Sequence, residues 1–139
     1  MASDSLRLSL LRGGLRGVPW AQVSDWELRQ KGPSYSIHTA LHWKSVHPGS
    51  ELDWILGSDQ WSQIRSWRNY RELGKIVRFL VFPRPEMPKP VRGLRMRIIP
   101  MRFDLSASDI RSRIRLGKPV RGMVLSPVER MIQITGSYR

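Results

Sequence analysis

The groups best equipped for chemistry in this chain are two hydroxyls and an arginine placed where a helix should start. In Ser106-Ala107-Ser108-Asp109-Ile110-Arg111 the arginine follows the hydroxyls within about one helical turn. A helix N-terminus presents N–H groups without intrahelical partners and a partial positive charge, which together suit a phosphate. Arginine adds a planar donor fork that is always charged. The same residues also make a plain capping box, Ser106 with Asp109 three positions on. A second group, Gly57-Ser58-Asp59, follows an apolar run that reads as a strand. In open α/β sheets ligands bind beyond the carboxyl ends of strands. There the glycine admits a ligand close to the backbone, and the aspartate can accept from a ribose hydroxyl. The plainer use is a strand-to-helix turn with Asp59 as its N-cap. Trp61 and Trp67 lie in a polar, basic segment. An indole can stack there on a base or a pyridine, or pack beneath a loop.

Other chemistries find less support. His38 and His42 are spaced i,i+4 on one predicted helix and could share a metal, but the HExxH glutamate and a third ligand are missing. We expect no metal site. No Ser/His/Asp arrangement has a recognisable local context, and no G-x-x-x-x-G-K-[ST] loop is present. The absence of cysteine excludes thiol nucleophiles, disulfides and thiolate metal sites. It agrees with a cytoplasmic setting.

These groups need elements to hold them. Ser3 and Asp4 can cap a helix to about residue 12, with Leu6, Leu8, Leu10 and Leu11 on its apolar side and Gly13-Gly14 ending it. Residues 18–23 read as a strand. Gly32-Pro33 breaks the chain, and residues 34–46 read as a helix with Ile37, Leu41 and Val46 facing inward. Residues 52–56 read as a buried strand that stops at Gly57. Residues 60–64 form a short helix or turn, 70–76 a helix and 77–82 a strongly apolar strand. A proline-rich loop spans 83–90. Residues 94–101 alternate Leu94, Met96 and Ile98 with Arg95 and Arg97, as a strand does. Helices follow over 106–116, ending at Gly117, and over 126–134, with Pro127 at the first position. Alternating helices and short apolar strands predict an α/β layer fold with a mainly parallel sheet. The chain shows no internal repeat and no domain boundary, so residues 1–139 are expected to form a single domain.

The 139 residues can bury a real core. No apolar run is long enough to span a bilayer, and the N-terminus has no basic region ahead of its apolar patch, so it is not read as a signal peptide. The formal net charge is +13, with a pI near 11.5. Such a field attracts phosphate-rich partners, nucleotides and nucleic acids alike. Arginines and Lys118 crowd residues 92–121. Aromatics are sparse there, so the stacking platforms of single-strand binders are missing and nucleic acid is not the favoured partner.

The order and spacing of the motifs carry a resemblance. Val23-Ser24-Asp25-Trp26-Glu27-Leu28-Arg29 and Gly32-Pro33-Ser34-Tyr35-Ser36-Ile37-His38-Thr39 resemble the V-S-D-x-E-L-R and G-x-S-Y-T-I-D-T segments of the bacterial nicotinate-nucleotide adenylyltransferases. Ile55-Leu56-Gly57-Ser58-Asp59 resembles their I-x-G-x-D strand end. Ser66-Trp67-Arg68-Asn69-Tyr70 with Leu73 resembles their T-W-x-x-x-x-x-L stretch. Phe82-Pro83-Arg84-Pro85 resembles their strand followed by R-P. Leu105 to Arg111 is similar to I-S-S-T-x-I-R, and Val120, Leu125-Ser126-Pro127-Val128 and Met131-Ile132 to the closing segment. The matches run in order over residues 6–138.

The resemblance implies a Rossmann-like nucleotidyltransferase three-layer sandwich with a parallel sheet. It implies transfer of the adenylyl group of ATP to nicotinate mononucleotide, giving deamido-NAD and pyrophosphate in NAD biosynthesis, with Mg2+ assisting. Ser34, Tyr35, Ser36 and Trp67 would hold the nicotinate ring and carboxylate, with Trp67 stacked on the ring. Gly57, Ser58 and Asp59 would bind ATP, Gly57 and Asp59 at the nucleotide sugars, and Ser106, Ser108 and Arg111 would hold the ATP phosphates.

The sequence also departs from the family. His38 stands where aspartate is usual, Ser36 replaces threonine, and Ala107 replaces a serine. The first βαβ unit, with its G-G-x-F-D-P-x-H-x-G-H motif and histidine pair, has no counterpart here, so no catalytic residue carries over. On this ground Met1 reads as an internal start, exposed strand edges are expected, and activity of this chain alone is in doubt. Two other readings stay open: a non-catalytic truncated remnant, and a small basic nucleic-acid-binding protein.

Overall fold

The strongly apolar run over residues 77–82 forms β2 (Val77–Phe82), the middle strand of a three-stranded sheet. Its partners are β1 (Leu52–Gly57) and β3 (Met96–Ile98), both parallel to it. The computed structural model describes residues 3–84, 86–101 and 105–138. It divides into two compact units, one of Gly32–Asp104 and one of Met1–Lys31 with Leu105–Arg139. The sheet belongs to the first.

Strand periodicity puts Val77, Phe79 and Val81 on one face of β2, and all three are fully buried. Their neighbours on β1 are Leu52, Trp54 and Leu56, in register. The other face pairs Asp53 with Arg78, whose Nε and Nη2 donate to the two carboxylate oxygens at 2.8 and 2.9 Å. The sequence pattern predicts β1 as a buried strand. It is instead an edge strand of the described sheet, with Ile55 66% exposed, because helices cover only the face that carries Leu56. β3 is shorter than the expected 94–101. Its ladder still extends by one bond at each end, from Phe79 N–H to Arg95 O and from Ile99 N–H to Val81 O, and stops before Pro100.

Three helices and one 3-10 turn cover the buried face. These are α3 (Ser36–Val46), α4 (Ser58–Ser62), the 3-10 turn Ile64–Ser66 and α5 (Tyr70–Ile76). Their numbering follows α1 (Asp4–Gly14) and α2 (Trp26–Arg29) of the other unit. From α3 the core takes Ile37 and Ala40, one helical step of three apart, while Leu41 and Val46 lie about half exposed. The expected inward positions Leu41 and Val46 are thus corrected: a stripe running through 37, 40 and 44 turns both away from the sheet. Trp61 is 2% exposed, its ring centroid 5.2 Å from that of Phe79, and its indole N–H donates to Lys89 O at 2.8 Å. Of its two proposed uses, packing beneath a loop is the one realised. Gly74 lies where α5 meets the start of β3, and a methyl there would overlap Leu94.

The second unit holds α1, α2, α6 (Ala107–Arg115) and α7 (Ser126–Thr135). Ser3 caps α1 by accepting from Leu6 N–H. The helix ends at Gly14, where the glycine pair predicts an end, and Leu15 caps it through its N–H to Leu11 O. The glycines serve the close approach of α1 to α7, since a Cβ on Gly13 would lie 2.9 Å from Met131 and one on Gly14 3.2 Å from Val128. The strand expected at 18–23 is absent. Pro19 cannot donate, and two successive turns take up the backbone, with Val18 N–H bonded to Leu15 O and Ala21 N–H to Val18 O. No described helix is long and apolar enough to cross a membrane.

Phe79 fills the centre of the sheet unit, so Phe79→Ala should cost about 3–5 kcal/mol, read by urea denaturation. The bonded Arg78 guanidinium holds the Asp53 carboxyl below its ordinary value of 3.8. A carboxyl lowered on folding stabilises the fold above its unfolded value and loses that contribution as pH falls through its folded value. Asp53→Asn should therefore cost under about 1 kcal/mol at neutral pH. The gap to the parent should close as pH is taken below 3.8.

Candidate functional site

Parallel pairing brings the ends of β1 and β2 out at the same edge, and Ser58 fixes them together. Its hydroxyl donates to Arg84 O at 2.6 Å and accepts from Arg84 N–H at 2.7 Å, and the side chain is 7% exposed. This hydroxyl is engaged with the backbone, so its contribution is the position of the turn. Gly57 has an extended backbone, with φ −79° and ψ 161°, which any residue adopts. Space is the constraint there. A methyl on Gly57 would overlap the Asp59 carboxylate and come within 3.2 Å of Arg84 Cδ. Asp59 is not the N-cap of α4: Gly57 holds that position without any side-chain bond, and Asp59 is exposed in the first turn. Beside the turn lies a cleft of about 550 Å³ lined by Ser58, Asp59, Trp61, Arg65, Arg84 and Lys89 among others.

The remaining candidates of this unit begin the helices that lead back into the strands. Helix α3 joins β1 through residues 47–51 alone, so its first turn lies toward the carboxyl end of β1. Tyr35 occupies its N-cap position, Ser36 opens the helix, and Ser34 is exposed just ahead. Helix α5 runs straight into β2, which puts its leading end at the carboxyl end of β2. Trp67 precedes it, half-buried, and packs with Tyr35 against the common core. Arg68 ties the two starts together, its guanidinium carbon 4.6 Å from the Tyr35 ring centroid. Tyr35 also meets His38 edge-on at 5.7 Å. Asn69, left-handed at φ 53°, makes the sharp turn into α5. Ser34, Tyr35, Ser36, Trp67, Gly57, Ser58 and Asp59 are thus gathered at one edge. Arg68 and Arg84 join them. Both stand inside the quoted motifs, but their contacts are tertiary and no local spacing signals them.

In the second unit the expected helix start is realised as α6. Ser106 is the N-cap, accepting from Asp109 N–H at 3.0 Å, and its hydroxyl donates to the Asp109 carboxylate at 2.6 Å, so the carboxylate is held by the hydroxyl and the N-cap half of the box is formed. Arg111 Nη2 donates to Ser108 Oγ at 3.1 Å, placing hydroxyl and guanidinium side by side on the first turn. The N–H groups of Ala107 and Ser108 have no intrahelical acceptor by helix geometry. Capping and anion binding are therefore compatible here. Among the described residues no group of three or more His, Cys, Asp or Glu is arranged to hold a metal ion. His42 and His47 instead flank Trp43, edge-on at 5.1 Å and stacked at 6.0 Å.

No family model matches the chain. Curated relatives do match it, among them the following three. The probable nicotinate-nucleotide adenylyltransferase of Staphylococcus epidermidis is 30% identical over 132 residues, 95% of this chain and 69% of that protein. The probable enzyme of the same name from Opitutus terrae is 36% identical over 119 residues, 82% and 61% of the two chains. That from Methylacidiphilum infernorum is 31% identical over 140 residues, 99% and 69%. This chain therefore spans roughly two thirds of the length of these relatives. Among solved structures, the Plasmodium falciparum nicotinic acid mononucleotide adenylyltransferase complexed with APC superposes with a TM-score of 0.77 at 15% identity, over 99% of this chain and 77% of that one. The same enzyme complexed with NaAD gives 0.62 at 17% identity, over 78% and 58%. At such identities the likeness shows a shared fold.

The atom that a methyl on Gly57 would strike is the tip of a flexible side chain, so Gly57→Ala should keep stability within about 1 kcal/mol of the parent. It should still displace the Asp59 carboxylate and weaken ATP binding about tenfold or more, checked by calorimetric titration beside urea denaturation.

Proposed function

The chain belongs to the nicotinate-nucleotide adenylyltransferase family, and from that premise we propose that it binds nicotinate mononucleotide and ATP and serves their conversion to deamido-NAD and pyrophosphate. A 5′-phosphate oxygen of the mononucleotide attacks the α-phosphorus of ATP. The new P–O bond forms as the bond to the bridging oxygen of the β-phosphate breaks, and pyrophosphate leaves with that electron pair. Such a displacement needs positioning and charge neutralisation more than covalent help from the protein.

In the sheet unit, Trp67 stacks on the nicotinate ring, and Ser34, Tyr35 and Ser36 meet its carboxylate. Asp59 accepts from a ribose hydroxyl, its carboxylate held over Gly57, where a Cβ would displace it. In the helical unit, Ser106, Ser108 and Arg111 hold ATP phosphates at the start of α6, where N–H donors and the helix field favour negative charge. Mg2+ enters with ATP as part of the substrate. The observation that most supports this reading is the gathering of Tyr35, Trp67, Gly57 and Asp59 at the carboxyl edge of the sheet, since that is the edge at which open α/β sheets bind ligands.

Two substitutions separate the two substrates. Trp67→Ala removes a stacking platform worth about 1–3 kcal/mol and should weaken nicotinate mononucleotide about tenfold or more, with ATP affinity unchanged. Arg111→Ala should do the reverse. Calorimetric titration of each ligand into each variant, with pyrophosphate release measured in parallel, tests the assignment. Equal loss of both ligands in either variant, or no binding by the parent, would contradict it.

A further inference from the structure

Three arginines from separate segments converge on one cleft that has no part in the function above. Arg65 comes from the 3-10 turn, Arg71 from the first turn of α5, and Arg92 from the loop between β2 and β3. With Tyr70 and Val91 they line a concavity of about 490 Å³ in the sheet unit, and no carboxylate is among its walls. This is a tertiary arrangement and not a run of charge in the sequence, since 27 positions separate Arg65 from Arg92.

The acidic residue nearest in sequence is engaged elsewhere. Glu72 follows Arg71 directly, but its carboxylate accepts from Lys75 Nζ at 2.9 Å. No ion pair among the described residues engages Arg65, Arg71 or Arg92. Arg71 is held in place by its neighbour, with Nε donating to Tyr70 OH at 3.2 Å and the guanidinium carbon 5.6 Å from the ring centroid. Guanidinium groups that share a concavity repel one another, and walls of low dielectric focus their field on whatever enters. An anion relieves the repulsion and takes up planar donor forks that match phosphoryl oxygens.

We propose that the Arg65–Arg71–Arg92 cleft is a binding site for an anion carrying two linked phosphoryl groups. Three positive charges with no carboxylate match the charge of a diphosphate better than that of a single phosphate. The cleft shares Arg65 and Val91 with the larger one beside the Ser58 turn, so Arg65 stands at the boundary of both. The inference does not rest on the adenylyltransferase reading and survives if that reading fails.

The test uses inorganic pyrophosphate in magnesium-free buffer, titrated calorimetrically into the full chain carrying Arg111→Gln, which removes the phosphate-holding arginine of α6. On this background pyrophosphate should still bind. Adding Arg92→Gln or Arg65→Gln should weaken it about tenfold each, the loss of one charge-assisted bond. Adding Arg115→Gln, an equal change of charge on an exposed arginine at the end of α6, should leave it within about twofold. Arg65, Arg92 and Arg115 are exposed, and thermal melting of each variant confirms folding. Loss of binding with Arg111→Gln alone would overturn the proposal, as would equal weakening by Arg115→Gln, which would mean a diffuse field. Inorganic phosphate binding as tightly as pyrophosphate would remove the diphosphate requirement. A single-stranded oligonucleotide that displaces pyrophosphate from the cleft with steep salt dependence would transfer the site to nucleic acid.

Discussion

The parallel pairing of β1 with β2 is the constraint on which the sheet unit depends. Trp54 beside Phe79 and Leu56 beside Val81 fix the register, and a slip of one residue would turn the whole apolar set to the wrong face. Because the strands run the same way, both release the chain at one edge, and the helices that precede them must start there. Tyr35, Trp67 and the Gly57-Ser58-Asp59 turn fall on the same edge of the sheet for this topological reason. The reciprocal bond between Ser58 and Arg84 then locks the two strand ends, with the Asp59 carboxylate and the Arg84 side chain packed over Gly57.

Much of this was legible in the sequence where the signal is local. Helix α5 and strand β2 fall at the boundaries that the sequence predicts, because the strongly apolar run over Val77–Phe82 is a signal that acts within a few residues. The start of α6 at Ser106 was legible for the same reason. The failures are tertiary. Leu41 and Val46 have the composition of core residues, and only the direction of approach of the sheet decides that they face outward. Ile55 is apolar and still exposed, because pattern cannot tell a covered face from an uncovered one.

The candidate site divides along the same line. Backbone turns and helix starts could be read from residue types. The arginines Arg68 and Arg84 could not be assigned a place, since one reaches Tyr35 across 33 positions and the other closes over Gly57 from the far end of β2. The charge of the chain is likewise organised by tertiary structure. Several acids are spent on local or cross-strand pairs, Asp53 with Arg78, Asp25 with Arg29 and Glu72 with Lys75. The excess of arginine is left for concave surfaces, where a net charge of +13 acquires a location.

The account turns on one claim, that the carboxyl edge of the parallel sheet receives the pyridine nucleotide. Amide chemical shifts followed by NMR during titration with nicotinate mononucleotide test it most directly. The account predicts saturable changes concentrated at residues 34–36 and 67–70, with the α3 C-terminus and the exposed face of β1 unaffected. Saturable changes confined to other surfaces, or none at millimolar ligand, would contradict it.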